Sequence, residues 1–403
     1  MARSNAILST IFSPEGSFAE SDAAALPKNI GTVLPWPQNR SNRHSSISDD
    51  WRRADAILTK LSPQRPSGPN LSPSAEDDEP LLLFNRSSEK IGLREEIAEA
   101  VKVYDLTVAC IRKALPTIAM RKIVEIEPLE HAVTMLVASL ERNRDALICL
   151  TKIRGADGYV FSHATNVCIF AAAFALSCGS SRVEAIAVGL AGLLHDVGMA
   201  LLPMTLLKSP TQLSPTEQVL VRRHPLIAGE LLSTMPNLHS QILFAALEHH
   251  ERYDGKGYPA GLSGSKISFI GHLTAISSAF DAMTSPRRHK AALAVHVALG
   301  EMFKQRNRQF HPAMLENFIK MVGVYPVGSA VILQDGYCGV VTAGSSDNPM
   351  RPVITLLQDS KGHPMAPLEL DMGKEWVASI AQCVSPAEKG IDVYSVLGVP
   401  SRL

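Results

Sequence analysis

From Ser88 to about Val322 the apolar positions recur at helical spacing. EEIAEAVKVYDLTVACIRKAL (95–115) and PLEHAVTMLVASLERNRDALICLTKI (128–153) each carry one apolar face and are expected to form amphipathic helices. CIFAAAFALSCG and VEAIAVGLAGLLHDVGMALLP are apolar all round, the mark of helices buried on every side. Two helix starts are written into the sequence. SRVE (181–184) and SPTE (214–217) are capping boxes, the second with proline at the first helical position. After GVYP (323–326) the period changes. GSAVILQDGYCGVVTAG and RPVITLLQD are short β-branched runs broken by Asp-Gly and Lys-Gly turns, which predicts a small antiparallel β unit. Residues 1–88, with stretches such as LSPQRPSGPNLSPSAEDDEP, are Ser, Pro, Asn and charge. That composition buries too little apolar surface to offset its ordering entropy. The expected fold class is mainly α: a helical bundle, a small C-terminal antiparallel β unit and a disordered N-terminal segment. Four stretches follow: 1–88 disordered, with transient helicity over 49–61; 89–150 a helical lead-in; 151–325 the bundle carrying the chemistry; 326–403 a β appendage read as a cap.

Composition narrows the function classes. The chain has 403 residues, 46% of them hydrophobic, which suits a soluble globular protein of two or three structural units. Lys plus Arg equals Asp plus Glu at 39 each, so charge gives no reason to expect DNA, RNA or an acidic membrane surface. The six cysteines are scattered through apolar runs without a C-x-x-C pair, the pattern of reduced core thiols in a cytoplasmic protein. MARSNAILSTIF lacks the apolar core of a secretory signal. The two most apolar segments are short or interrupted by His-Asp, so no membrane insertion is expected.

Candidate chemistry sits at the ends of the apolar helices. His163 lies at a helix start, after GADGY. His195 and Asp196 close the run AIAVGLAGLL just before Gly198, where the helix carbonyl end favours a cation. His224 precedes Pro225 at a helix junction. His249 and His250 end SQILFAALEHH, before the Asp254-Gly255 turn. Neighbouring helical side chains diverge by about 100°, so adjacent histidines serve one site only where a helix frays. Each histidine alone reads as a satisfied core residue; together with one carboxylate they form a donor set for Fe, Mn, Zn or Ni. Asp196 is able to bridge two ions.

LLHDVG and HHERYDGKGYP, with DGYVFSHATNV, VRRHPLIAGELL and FDAMTSPRRHK in the right order, resemble the HD-GYP family, bacterial phosphodiesterases for cyclic di-GMP within the HD metal-hydrolase superfamily. The resemblance implies an HD-type bundle and one or two divalent transition metals, Fe or Mn first. It places the metal ligands on His163, His195, Asp196, His224, His249 and His250, with His195 and Asp196 as the catalytic pair. It puts substrate contacts on Gly257, Tyr258 and Pro259 and on the basic pair Arg287 and Lys290. The implied reaction is attack on phosphorus by water activated at the metal, opening cyclic di-GMP to a linear dinucleotide or GMP. Implied partners are cyclic di-GMP and a second copy of the chain or a signalling protein.

Departures from that family pattern define a rival reading. Ser278 stands where the family has a ligand aspartate, and Met199 where it has the lysine of HD-x-GK. His272 and His289 replace an arginine and a tyrosine. Asp281 lies about 4.5 Å further along the helix axis than Ser278 and is not expected to substitute. The site on the His163, His195 and Asp196 side therefore loses an anionic ligand, while Asp196, His224, His249 and His250 remain a complete set. The rival is a nucleotide-binding or protein-interaction regulator of low activity.

Overall fold

A computed structural model describes residues 90–400, apart from 121, 123, 154–158, 204–205, 207–213, 236–237, 287–291, 346–347, 349 and 375–378. The expected disordered segment, the helix over 49–61, and Arg287, His289 and Lys290 lie outside the described residues. The described residues belong to one compact unit by backbone contacts.

Helix α1 (Leu93–Ala119) buries Ile97, Ala100, Tyr104, Ile111, Leu115 and Ile118 along one stripe. Helix α2 (Glu127–Ile153) returns alongside it but breaks at Asn143, whose backbone leaves helical geometry (φ −155°, ψ 101°). There Asn143 Oδ1 accepts from Asp145 N and Ala146 N and so caps the second half, while its Nδ2 donates to Ile91 O. One apolar face ran through both halves, so the sequence pattern read as a single helix. A half-buried ion pair pins α1 to α2: Arg142 donates from Nε and Nη2 to the Glu96 carboxylate at 2.6 and 2.7 Å, and Ser139 Oγ adds a bond of 2.7 Å.

The two all-apolar segments form the centre. Helix α3 (Tyr159–Ser177) is buried nearly throughout from Ser162, and α4 (Arg182–Leu194) packs along it. Helix α3, and α4 taken on through the turn to Leu201, are long and apolar enough to cross a membrane, but 83% and 61% of their apolar windows are enclosed by the rest of the protein. The capping box is present at Ser181, and a second opens α5 (Pro215–Val221) at Ser214. Next come α6 (His224–Ser233), α7 (Ser240–Glu248), α8 (Phe269–Thr284), α9 (Val295–Lys304) and α10 (Pro312–Val322). Phe170 of α3, Phe280 of α8 and Phe318 of α10 meet edge to face, at centroid distances of 5.1–5.9 Å. This contact fixes α8 against α3 and brings Asp281 beside His163.

The C-terminal unit is an antiparallel sheet in the order β4-β3-β2-β1-β5, with β1 Ala330–Leu333, β2 Cys338–Ala343, β3 Val353–Gln358, β4 Pro364–Asp371 and β5 Ile380–Val384. Its own core is Val331, Leu333, Val341, Ile354, Leu356, Leu370 and Met372. The last helix, α11 (Val393–Leu397), hooks onto the bundle: Tyr394 Oη donates to Ile153 O at 2.6 Å, and Arg94 Nη2 donates to Val396 O at 3.1 Å. The six cysteines are unpaired. Burial pushes the Cys149 thiol up to about 12 and raises that of Cys168 as well.

Candidate metal centre

Four helix ends deliver the histidines and aspartate to one place. His195 is the C-cap of α4 and Asp196 follows it; His224 opens α6; His249 and His250 follow the last residue of α7; His163 comes one turn into α3. The ligand atoms fall into two groups, His224–His249–His250 and His163–His195–Asp196, each within 4.8 Å internally. Asp196 stands between them. Its Oδ1 lies 3.2 Å from His224 Nε2 and 3.9 Å from His249 Nε2, and its Oδ2 lies 4.0 Å from His195 Nε2.

Gly198 makes this convergence possible. A Cβ there would lie 2.0 Å from His224 O and 2.7 Å from Ala228 N, so the 3-10 turn Val197–Leu201 reaches α6 only because the position has no side chain. The sequence suggested Gly198 as a helix-end signal; its larger role is to let Asp196 meet His224.

The protons on the rings can be assigned from the partners. His195 Nδ1 lies 2.8 Å from Gly192 O, His224 Nδ1 2.7 Å from Val221 O, and His249 Nδ1 3.0 Å from both Ala245 O and Ala246 O. A carbonyl oxygen only accepts, so Nδ1 carries the hydrogen on each ring. In the neutral rings Nε2 is then a bare lone pair. Burial holds His195 down to about 4 and His250 to about 3, and lowers His249 well below the ordinary value, with neighbouring imidazoles adding to the effect. These three rings are therefore neutral near pH 7.

The result is an accumulation of acceptors. His224 Nε2 and His249 Nε2 face each other at 3.0 Å, a hydrogen-bond distance. Among the described residues, His195 Nε2 and Asp196 Oδ1 are buried without a hydrogen-bond partner. Burial opposes charge on Asp196, but coulombic pull, that of His224 foremost, outweighs it and holds the carboxyl down to about 2. Lone pairs and a carboxylate aimed at one point in a dry setting need a cation to stabilise them. The donor set, imidazole with carboxylate, suits a divalent transition metal.

His163 is held differently. Its Nδ1 lies 2.6 Å from Asp281 Oδ2, and Ser278 Oγ lies 3.3 Å from its Nε2. Ser278 thus occupies the position a ligand from α8 would take, and offers a neutral hydroxyl. Asp281 reaches the opposite ring nitrogen, away from the ligand side.

The turn 249–259 answers why adjacent histidines precede such a stiff sequence. Glu251, 3% exposed, folds its carboxylate back under the turn. Oε1 accepts from Ala260 N (2.7 Å) and Gly261 N (3.1 Å), and Oε2 from Leu262 N (2.9 Å). Gly257 passes so close to the chain that a Cβ would lie 2.4 Å from Arg252 N. With the Tyr258–Pro259 bond cis, the Tyr258 ring lands flat on His250, centroids 4.7 Å apart at 15°. The Arg222 guanidinium lies 5.4 Å over the same ring. Glu251, Asp281, Asn166 and Arg222 were not singled out as site residues. Asn166 alone had a local signal, lying one turn from His163 on the same helix face.

Residues 153–314 match the family model described as HD domain, and 330–390 match the KOW domain associated with HD domain. A solved HDG"Y"P protein of Bdellovibrio bacteriovorus superposes with a TM-score of 0.48 at 15% identity, over 69% of this chain and 79% of that one. The response regulator RpfG of Xanthomonas campestris pv. campestris, named a cyclic di-GMP phosphodiesterase, is 35% identical over 45% of this chain and 48% of its own length. Cyclic di-GMP phosphodiesterase PA4108 of Pseudomonas aeruginosa is 30% identical over 303 residues, 75% of this chain and 73% of that protein. With identity at that level running through both the bundle and its lead-in, the chain belongs to the HD-GYP family of cyclic di-GMP phosphodiesterases.

Proposed function

We propose that this protein is a metal-dependent phosphodiesterase that opens cyclic di-GMP to a linear dinucleotide or GMP. The observation that carries the reading is the convergence of the His195, His224 and His249 Nε2 atoms on the ionised Asp196, with His224 and His249 face to face at 3.0 Å. His224, His249, His250 and Asp196 would hold one ion, and His163, His195 and Asp196 a second, weaker one. A bound divalent ion supplies charge neutralisation at the phosphoryl oxygens and acidifies water. The chain's own residues supply the rest. Carbonyl bonds to Nδ1 fix the rings so that no reorientation is needed when an ion or substrate arrives. Tyr258 walls the pocket beside His250, and Arg222 sets a positive charge on its rim, suited to a phosphate.

Ser278 and Met199 favour a second reading, a nucleotide-binding regulator with little turnover. Met199 stands half-buried next to the Asp196 turn, where the family resemblance calls for a lysine. Loss of a single transition-state donor of that kind costs about two or three powers of ten. The test is to load the purified protein with Mn or Fe, measure bound metal, and follow cyclic di-GMP by chromatography. Turnover that disappears in His249→Ala supports the hydrolase. Metal and nucleotide binding without turnover, with turnover gained in Ser278→Asp plus Met199→Lys, supports the regulator.

A further inference from the structure

The histidines of the centre are locked in two different ways. His195, His224 and His249 each give Nδ1 to a main-chain carbonyl three or four residues back. Those locks are local and last as long as the helix end does. His163 instead relies on a side chain, Asp281, and Asp281 is itself held by others. Asn166 Nδ2 donates to Asp281 Oδ1 at 2.7 Å, and Ser285 Oγ donates to the same oxygen at 2.9 Å. Asn166 is oriented in turn. Its Oδ1 accepts from Tyr104 Oη at 3.0 Å, and its Nδ2 also reaches Thr151 O at 3.3 Å.

Every donor in this relay points the same way, from Tyr104 through Asn166 to Asp281. Tyr104, Asn166 and Asp281 are each no more than 2% exposed, so water does not compete for these bonds. Tyr104 lies on α1 and Thr151 on α2, both ahead of the stretch 153–314 that matches the HD domain. The relay matters most on this side of the centre. His163 sits between the neutral Ser278 hydroxyl at Nε2 and the Asp281 carboxylate at Nδ1. Charge from α8 would therefore act on an ion held by His163 through the imidazole ring.

We infer that Tyr104 and Asn166 are positioning residues for the ion on the His163 side: through Asp281 they hold His163 as its Nδ1–H tautomer, with Nε2 turned to the ion. Without the Tyr104 hydroxyl, the buried Asn166 Oδ1 loses its donor, and the amide that bonds Asp281 is held on one side only. Asp281 then loosens, and His163 loses the bond that fixes its tautomer. Helices α1 and α2 are on this account part of the metal centre rather than a spacer before it.

The inference rests on the metal reading above, and the test separates the two. Nitrogen-15 NMR of histidine-labelled, metal-free protein reports the tautomer directly, with the His163 signal assigned by its loss in His163→Gln. Wild type is expected to show the Nδ1–H form, and Tyr104→Phe and Asp281→Asn a mixture, with folding checked by circular dichroism. Titration with Mn(II), read by electron paramagnetic resonance of the free ion, should then show the weaker ion loosened. The expected factors are about 5-fold for Tyr104→Phe and roughly 10–100-fold for Asp281→Asn, with the tighter ion unchanged. An unaltered tautomer with unaltered affinities in both variants overturns the inference and leaves the metal reading standing. Equal weakening of both ions together with a lowered melting temperature also overturns it, because that marks packing alone. If wild type binds no Mn(II), the metal reading fails, and the tautomer measurement still decides whether the relay exists.

Discussion

Glu251→Gln removes one charge from the turn that carries Tyr258 and changes almost no volume. In the wild type the carboxylate accepts three main-chain N–H groups, from Ala260, Gly261 and Leu262, at 2.7–3.1 Å. Hydrogen bonds to a charged acceptor contribute about 1.5–3 kcal/mol each, and neutral ones about 1 kcal/mol. A glutamine oxygen in place of Oε1 keeps two bonds at neutral strength, a loss of about 1 kcal/mol apiece. Its amide nitrogen replaces Oε2 and faces the Leu262 N–H, donor against donor. That loses the third bond and leaves a buried donor unsatisfied, about 1–3 kcal/mol more. Such terms do not add fully, so the expected loss is roughly 3 kcal/mol. The assay is urea unfolding of the metal-free protein at pH 7.5, with bound metal measured on the loaded form. Loosening the turn should also free Tyr258 from His250 and lower metal retention. A loss below about 0.5 kcal/mol would refute the reasoning, since it would mean that the carboxylate is not what shapes the turn.

Three further outcomes follow from the same geometry. Gly198→Ala forces a Cβ against His224 O and Ala228 N; the expected result is loss of metal binding plus about 1–3 kcal/mol of stability, read by metal analysis and unfolding, and retention of wild-type metal content would count against the close-approach argument. Burial lowers His195 and His272 to about 4, His250 to about 3 and His249 well below its ordinary value, so between those values and about 6.5 the unfolded chain binds more protons than the fold and metal-free stability falls with falling pH. Glu248, raised to about 7 by burial, works in the opposite sense from about 4.5 to 7 and offsets one histidine. Unfolding at pH 7.5, 6 and 5 should therefore show a net fall of roughly 1.4–4 kcal/mol per pH unit below about pH 6, and a flat profile would contradict it. Lys152 buries Nζ without a hydrogen-bond partner among the described residues, and burial lowers it to about 7. Lys152→Met should thus stabilise the protein by about 1–3 kcal/mol at neutral pH, with the gain fading towards pH 10.5, where the unfolded lysine also loses its charge; a destabilised variant would show that the amine has a role in the fold.

The amino-acid sequence by itself determined the helices, the capping boxes at Ser181 and Ser214, the small β unit, and which residue types stand at the helix ends. These are local matters: the apolar period, a cap three residues away, a turn of glycine and proline. HHERYDGKGYP also carried its own explanation, because the helix must fray at His249 for both rings to serve one pocket. Tertiary structure alone decided which ring nitrogen faces that pocket. His195, His224 and His249 take their tautomer from carbonyls at a helix end, whereas His163 takes it from Asp281, on another helix and 118 positions away. Asp281 looked unable to serve because it lies too far along the axis from Ser278, yet that displacement is what puts it on the second nitrogen. The break at Asn143, the side-chain-free contact at Gly198 and the Tyr104–Asn166 relay were equally hidden. Each depends on a bond or a close approach between segments distant in the chain, and periodicity along one segment carries no information about what packs across from it.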